Sequence, residues 1–175
     1  MRVVFQVIRQ YPDCALLDIG CGWEARLLKA VEPLIGRGEG IDFKAPAFRT
    51  EKLSIRQVTL SDALPCPDDS FDIVTMLAVL EHLSHPREMV GEISRVLKPG
   101  GRLILTVPSK AAKPVLEFMA YRLGIVSEAE IRDHKCYYDR KSLTALFANT
   151  VLDIERHRYF QFGMNNHLVC RKLGN

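Results

Sequence analysis

The sequence predicts a single α/β domain: a mainly parallel sheet with helices on both faces that ends in an antiparallel hairpin. Short apolar runs of strand length alternate with helical runs as far as residue 107, which is the pattern of repeated β-α-β units. Two strand-like runs, 151–162 and 166–172, then follow each other across a short turn, which is typical of a hairpin. The 175 residues, 47% hydrophobic and 26% charged, suit one globular domain.

The first part of the chain supplies three of the predicted strands. Residues 15–19 form the first strand. A helix over 24–35 follows it, with apolar residues at helical spacing, until a proline and a glycine-rich break end it. Residues 39–43 form the second strand and 55–60 the third, and a short charged helix is expected between them around 46–52.

The next part of the chain predicts two more parallel strands. Residues 71–77 form the fourth strand and 102–107 the fifth. The helix between them covers 85–97, with Ser84 as its N-cap and Pro86 near its first position.

The last third is less regular at first. Residues 109–138 are expected to hold one helix near 114–123, and a final helix covers 140–149. The terminal hairpin then brings the predicted total to seven strands.

The stretch LLDIGCG, residues 16–22, is the most informative part of the chain. It is typical of a buried strand that runs into a tight turn, where Gly20 and Gly22 let the backbone approach a ligand because they lack a Cβ. Asp18 lies at the carboxyl end of that strand, where open α/β sheets bind their ligands. GCGWEA also fits a permitted form of the dinucleotide fingerprint. An acid at position 18 nevertheless suits an amino group better than a phosphate, which favours S-adenosylmethionine.

Two further acids end strands at the same edge of the predicted sheet. Asp42 follows Gly22 by 20 residues, where an acid can accept hydrogen bonds from both ribose hydroxyls. Phe43 beside it can pack against an adenine face. Asp62 follows the third strand and can accept from an adenine amino group. The alternatives are an ordinary solvated acid at position 42 and a capping acid at position 62.

Several motifs in one order make the chain resemble the class I S-adenosylmethionine-dependent methyltransferases. They are LLDIGCG (16–22), GIDF (40–43), SDALPCPDDSFDIVTM (61–76), AVLEHL (78–83) and REMVGEISRVLKPGGRLILTVPS (87–109). The resemblance is strong over roughly residues 14–109. It implies a Rossmann-like sheet, S-adenosyl-L-methionine as cofactor, a cofactor-binding half over 1–109 and an acceptor-side half over 110–175.

The resemblance also implies roles for individual residues. Methionine contacts would come from Asp18, Gly20 and Gly22, ribose and adenine contacts from Asp42, Phe43, Asp62 and Ala63, and the border of the methyl-transfer site from Leu77.

Glu24 stands where this family usually has a third glycine. Its side chain would either narrow the turn and repel the cofactor's carboxylate, or face solvent at the first turn of the helix, where an acid suits the dipole. The departure keeps a non-catalytic or regulatory protein with the same fold as an alternative. A nicotinamide-dependent oxidoreductase is the third possibility.

Methyl transfer from a sulfonium depends chiefly on positioning, and a base is needed only for a hydroxyl or a cationic amine. His82 and His134 are the candidate bases, with Asp133 as a less favoured third, and Tyr137 and Tyr138 are the candidate acceptor-pocket residues. The alternatives are a hydrogen-bonded pair of Glu81 and His82 that stabilises the loop, and packing of the segment with His134 and the two tyrosines under the sheet edge. Some ubiquinone-biosynthesis methyltransferases bind a metal through a Glu-x-x-Glu-His arrangement after the fourth strand. Ala78 takes the first Glu position here, so no metal is expected.

Bulk properties narrow the class of partner. Five cysteines without a Cys-x-x-Cys pair predict neither a disulfide framework nor a zinc site, and reduced thiols suit a cytoplasmic protein. No run approaches the ~20 apolar residues of a membrane helix, and the net charge of +3 is modest. A small-molecule acceptor is expected, with a nucleic-acid or protein acceptor left open. The short segment before the first strand predicts an open cleft that a second copy could complete.

Overall fold

A computed structural model of the chain describes residues 2–121 and 128–174. Eight strands form one sheet: β1 (Ala15–Ile19), β2 (Arg37–Asp42), β3 (Phe48–Arg49), β4 (Leu53–Gln57), β5 (Phe71–Leu77), β6 (Leu97–Pro108), β7 (Leu152–Phe160) and β8 (Asn165–Lys172). The helices are α1 (Arg2–Ile8), α2 (Arg26–Val31), α3 (Pro86–Val96), α4 (Ala112–Tyr121), α5 (Glu128–Asp133) and α6 (Arg140–Phe147). Short 3₁₀ turns cover Glu32–Leu34 and Leu80–His82.

The strand order is β3-β4-β2-β1-β5-β6-β8-β7. The pairs β1·β2, β2·β4, β1·β5 and β5·β6 are parallel, whereas β3·β4, β6·β8 and β7·β8 are antiparallel. The predicted mainly parallel sheet with a terminal antiparallel hairpin is therefore confirmed. Strands β2, β4 and β3 lie on one side of β1, and the chain then crosses to the other side of β1, where it forms β5. The crevice at the carboxyl ends of β1 and β5 is thus the switch point where such sheets bind ligands.

Alternate residues of the central strands enter two separate apolar layers, one on each face of the sheet. In β1, Leu17 and Ile19 pack on one face and Leu16 on the other. The first layer is completed by α3 and α6, and the second by α1 and α2. This arrangement confirms helices on both faces, and it explains why the central strands read as continuous apolar runs.

The sheet has eight strands rather than seven because residues 46–52 do not form the expected charged helix. Phe48 packs against the second apolar layer instead. Thr50 closes a turn through its backbone N–H to Leu53 O (2.8 Å) and through its hydroxyl, which accepts from Leu53 N (2.9 Å). The result is the two-residue edge strand β3, antiparallel to β4.

Several element boundaries also differ from those predicted. The helix expected over 24–35 begins at Arg26 and tightens into a 3₁₀ turn over Glu32–Leu34, where Pro33 removes a donor. The third parallel strand lies at Leu53–Gln57 instead of 55–60. The helix after β5 begins at Pro86 without a side-chain cap, so Ser84 is not its N-cap.

Helices α1 and α5 had no counterpart in the expectations, and β6 is longer than expected. The apolar N-terminal run forms α1, in which Val4, Val7 and Ile8 are buried. Strand β6 begins five residues earlier than the predicted 102–107, and its first residue, Leu97, pairs with Phe71 across a bulge. The end of the helix expected near 114–123 lies outside the described residues. Among the described residues, no helix has the length and apolarity that crossing a membrane requires.

Candidate active site

The turn after β1 is held in a conformation that its glycines permit. Gly20 and Gly22 have φ of +73° and +72°. A Cβ on Gly20 would lie 2.3 Å from Val79 Cγ2, so this position also excludes a side chain by contact. The N–H of Gly20 donates to Ile41 O at 2.8 Å, and the N–H of Gly22 donates to Asp42 Oδ2 at 3.0 Å. The turn is therefore fastened to the end of β2.

Asp18 is a buried acid directly beneath this turn. Its residue is 3% exposed, and its Oδ1 accepts a hydrogen bond from Thr75 Oγ1 at 2.6 Å. Burial raises the pKa of Asp18 to about 7, the Thr75 hydroxyl opposes this rise, and the charge of Asp42 adds to it. A carboxyl group poised in this way gains most from a cationic ligand, because the cation favours the ionised form.

Asp42 is fixed by two backbone donors. Its Oδ2 accepts from Gly22 N, and its Oδ1 accepts from Lys44 N at 2.7 Å. Each carboxylate oxygen keeps a further lone pair, which suits a pair of ribose hydroxyls. Phe43, the next residue, is 57% exposed, and an exposed aromatic side chain there is available for a flat ligand.

The predicted adenine residues after β4 lie on an exposed loop. Asp62 and Ala63 are both exposed, and the Asp62 carboxylate lies 2.8 Å from His85 Nδ1, just before α3. The structure thus gives Asp62 a partner within the chain, and its contact with adenine stays a prediction.

Glu24, at the position of the usual third glycine, faces solvent. Its carboxylate pairs with Arg26, which holds the pKa of the Glu24 carboxyl below its usual range. The left-handed residue at this end of the turn is Ala25, with φ of +48°, and α2 begins directly after it. Glu24 therefore needs no glycine conformation, and its side chain does not narrow the turn.

A second polar group lies beyond Leu77, the half-buried last residue of β5. Glu81, in the 3₁₀ turn that follows, is 1% exposed, and burial raises its pKa to about 7. Its Oε2 has no hydrogen-bond partner among the described residues. Its backbone carbonyl accepts from Lys135 N at 2.8 Å and Cys136 N at 3.4 Å, which brings the segment after α5 against the turn.

The contact of this segment with the Glu81 carbonyl brings the two candidate bases, His82 and His134, next to each other. The rings of His82 and His134 meet edge to face, with centroids 4.8 Å apart. The Nδ1 of His82 lies 2.7 Å from Asp133 Oδ2, and the Nδ1 of His134 lies 3.1 Å from the Tyr137 hydroxyl.

A cavity of about 680 Å³ opens beside His134. Tyr137 lines this cavity, and its role in an acceptor pocket stays a prediction. The lining also contains basic residues that the sequence analysis did not assign to a site: Lys110, Lys113, Arg132 and Lys135. The sequence feature that could have indicated these residues is the mild excess of Lys and Arg over Asp and Glu after β6. Tyr138 does not line this cavity. It is 6% exposed in the core, and its N–H donates to Pro108 O, so it attaches the segment to the sheet.

Known proteins resemble this chain in sequence and in fold. The family described as "Methyltransferase domain" matches residues 10–157. The uncharacterized methyltransferase YcgJ of Bacillus subtilis is 37% identical over 129 residues, which are 67% of this chain and 50% of that protein. A ubiquinone/menaquinone biosynthesis C-methyltransferase of Laribacter hongkongensis is 35% identical over 130 residues, 69% of this chain and 52% of that protein. The chain spans about half the length of these curated relatives.

The solved structures extend the likeness to the whole sheet. A putative methyltransferase from Bacillus halodurans superimposes with a TM-score of 0.75 at 16% identity, over 99% of this chain and 98% of that one. At that identity the likeness supports the fold alone, whereas the family match covers most of the chain. The chain therefore belongs to the methyltransferase domain family, and within it to the class I S-adenosylmethionine-dependent methyltransferases that its motifs resemble.

Proposed function

We propose that this chain transfers a methyl group from S-adenosyl-L-methionine to a small-molecule acceptor. The observation that supports this most is the burial of the Asp18 carboxyl group next to a left-handed glycine turn. A phosphate would be repelled by that acid, whereas the amino group of the methionine part would stabilise its ionised form. Bound cofactor supplies the electrophilic methyl group, and the chain's residues hold and orient it.

The remaining cofactor contacts follow the same edge of the sheet. Asp42, already oriented by the turn, would accept from the ribose hydroxyls, and Phe43 would cover the adenine. Asp62 and Ala63 would meet the adenine edge after Asp62 leaves His85, and Leu77 would border the methyl group.

The acceptor would enter on the side of His134. The cavity there has the volume of a small-molecule site. A relative named for ubiquinone/menaquinone biosynthesis also supports a small acceptor. In the tautomer of His82 that carries its proton on Nδ1, this N–H would donate a hydrogen bond to the Asp133 carboxylate. The Nε2 atom would then accept a proton from a hydroxyl or an amine. His134 is the second candidate base, and Tyr137 the candidate pocket residue beside it.

Isothermal titration with S-adenosylhomocysteine tests the cofactor assignment. We expect one site per chain, and we expect Asp42→Ala to weaken binding by about 1–3 kcal/mol through lost charged hydrogen bonds. Asp153→Ala, which removes an exposed acid on β7, is the matched control and should bind like the wild type. Folded protein that takes up no ligand would contradict the proposal. A screen of small acceptors with detection of S-adenosylhomocysteine then tests transfer itself.

Glu24 was one of the reasons for the non-catalytic alternative. Because Glu24 faces solvent and pairs with Arg26, that reason no longer holds.

A further inference from the structure

We propose that Glu81, His82 and His134 form a binding site for a divalent transition-metal ion at the acceptor end of the cleft. One ligand atom from each of the three residues lies within 4.8 Å of the other two. Two of the residues belong to the turn after β5, and the third comes from the segment after α5. The fold therefore assembles a three-ligand group from two distant parts of the chain.

The donor set indicates the class of metal. Two imidazole nitrogens and one carboxylate oxygen suit Zn²⁺ and its first-row neighbours, and two histidines with one glutamate also hold the zinc of several hydrolytic enzymes. Mg²⁺ and Ca²⁺ prefer oxygen ligands throughout, so they fit this group less well.

The buried carboxylate of Glu81 is the independent observation that points to a cation. Its residue is 1% exposed, and its Oε2 finds no hydrogen-bond donor within the described structure. A buried carboxylate oxygen left without a partner is costly, and native structures rarely leave one without a role. A metal ion between this oxygen and the two imidazoles would satisfy it.

The outer contacts of both histidines have the form that metal sites require. A histidine that binds a metal usually engages its other ring nitrogen with a carboxylate or another polar group, which fixes the ring and its tautomer. The Nδ1 atoms of His82 and His134 contact Asp133 and Tyr137 respectively. We therefore assign the Nε2 atom of each ring to the ion, and with the ion bound these two histidines hold it and do not act as bases.

The backbone already holds the ligands in place, and only side chains need to move. Zinc–ligand distances near 2.0–2.1 Å put neighbouring ligand atoms about 3.4 Å apart in a tetrahedral site. In the structure the three ligand atoms lie within 4.8 Å of one another, which exceeds the tetrahedral spacing by little more than 1 Å. Small rotations of the rings would close this difference. The His82 side chain is 30% exposed, which leaves a path for the ion and an open coordination position for a ligand.

This ligand set departs from the Glu-x-x-Glu-His pattern considered above. Ala78 occupies the first Glu position, and it has a left-handed φ of +57° and no ligand atom in its side chain. His134 takes the third place instead, from a part of the sequence that such a pattern does not include.

Metal binding is measured on purified full-length chain that has been stripped with a chelator and dialysed. Zn²⁺ is titrated in competition with a chromophoric chelator, and bound metal is counted by mass spectrometry. We expect one Zn²⁺ per chain, and we expect His82→Ala and His134→Ala each to weaken binding about tenfold or more, since even outer contacts carry effects of this size. Cys136→Ala is the matched control, because Cys136 is an exposed thiol of the same segment, and it should keep the full stoichiometry.

Co²⁺ provides a readout that does not depend on any variant's folding. Wild-type protein with one equivalent of Co²⁺ should show ligand-field bands of a nitrogen- and oxygen-bound ion, without sulfur charge transfer. Absence of stoichiometric Zn²⁺ binding, binding by both histidine variants as tight as that of the wild type, or loss of binding in Cys136→Ala would each overturn the proposal. Titration of the same samples with S-adenosylhomocysteine reports on the proposed cofactor function separately.

Discussion

Replacing Asp18 by Asn should remove a pH dependence from the stability of the chain. In the folded protein, burial raises the pKa of Asp18 to about 7, whereas the ordinary value for an aspartate in the unfolded chain is 3.8. Between these two values the folded state binds more protons than the unfolded state does. The contribution of Asp18 to the free energy of unfolding is therefore fully present below pH 3.8. It is lost as the pH rises through 7.

The size of the loss follows from the two pKa values. Between pH 5 and pH 8 the unfolded carboxyl is ionised throughout, and the folded one loses its proton near pH 7. Two pH units at 1.36 kcal/mol each predict a fall in the free energy of unfolding of about 3 kcal/mol over that range. An asparagine does not ionise, and its side-chain oxygen can still accept the Thr75 hydroxyl, so the fall should be absent in the variant.

Urea unfolding of ligand-free wild type and Asp18→Asn at pH 5 and pH 8 measures the difference directly. The other ionisable groups are the same in both proteins, so the difference between the two slopes isolates position 18. Parallel slopes for the two proteins would refute the reasoning. The variant should also bind S-adenosylhomocysteine more weakly at pH 8, because the ionised partner of its amino group is gone.

Three other substitutions test the turn and the acceptor-side segment. Gly20→Ala places a methyl group 2.3 Å from Val79 Cγ2 at a left-handed φ, so it should lower the free energy of unfolding by about 2 kcal/mol or more; a neutral result in urea would mean that the turn moves freely. Glu24→Ala should leave the dissociation constant for S-adenosylhomocysteine within about twofold, because an exposed side chain makes weak contacts, and a tenfold change in titration would place it against the ligand. Asp139→Ala removes the capping box with Ser142 at the start of α6 and should lower the midpoint of thermal or urea unfolding, and Asp139→Asn should restore most of the loss.

The parallel strands and the glycine turn were predictable because their signals are local. An apolar run bounded by turn residues indicates a buried strand, and the spacing of Gly20 and Gly22 indicates a left-handed turn. The edge strand β3 was not predictable in this way. Two residues carry no periodicity, and the turn at Thr50 that creates it depends on a hydroxyl contact with Leu53.

The acceptor side shows the other reason for failure, which is distance along the chain. The sequence singles out His82 and His134 separately, but nothing local indicates that they meet. Tyr137 and Tyr138 look alike as candidates, and only the pairing of Ser109 with Tyr138 decides that one enters the core while the other lines the cavity. The exposed pairing of Asp62 with His85 is likewise a tertiary contact that spacing does not encode.

The attachment of residues 135 and 136 to the Glu81 carbonyl has a consequence for how acceptor preference can change. Both links use backbone N–H groups, so they do not depend on which side chains these positions carry. Substitutions at Lys135, Cys136 or Tyr137 can therefore alter the shape and charge of the pocket while the segment keeps its place. For the proposed function, this segment is a compact region in which acceptor choice could be redesigned without changes to residues 1–109.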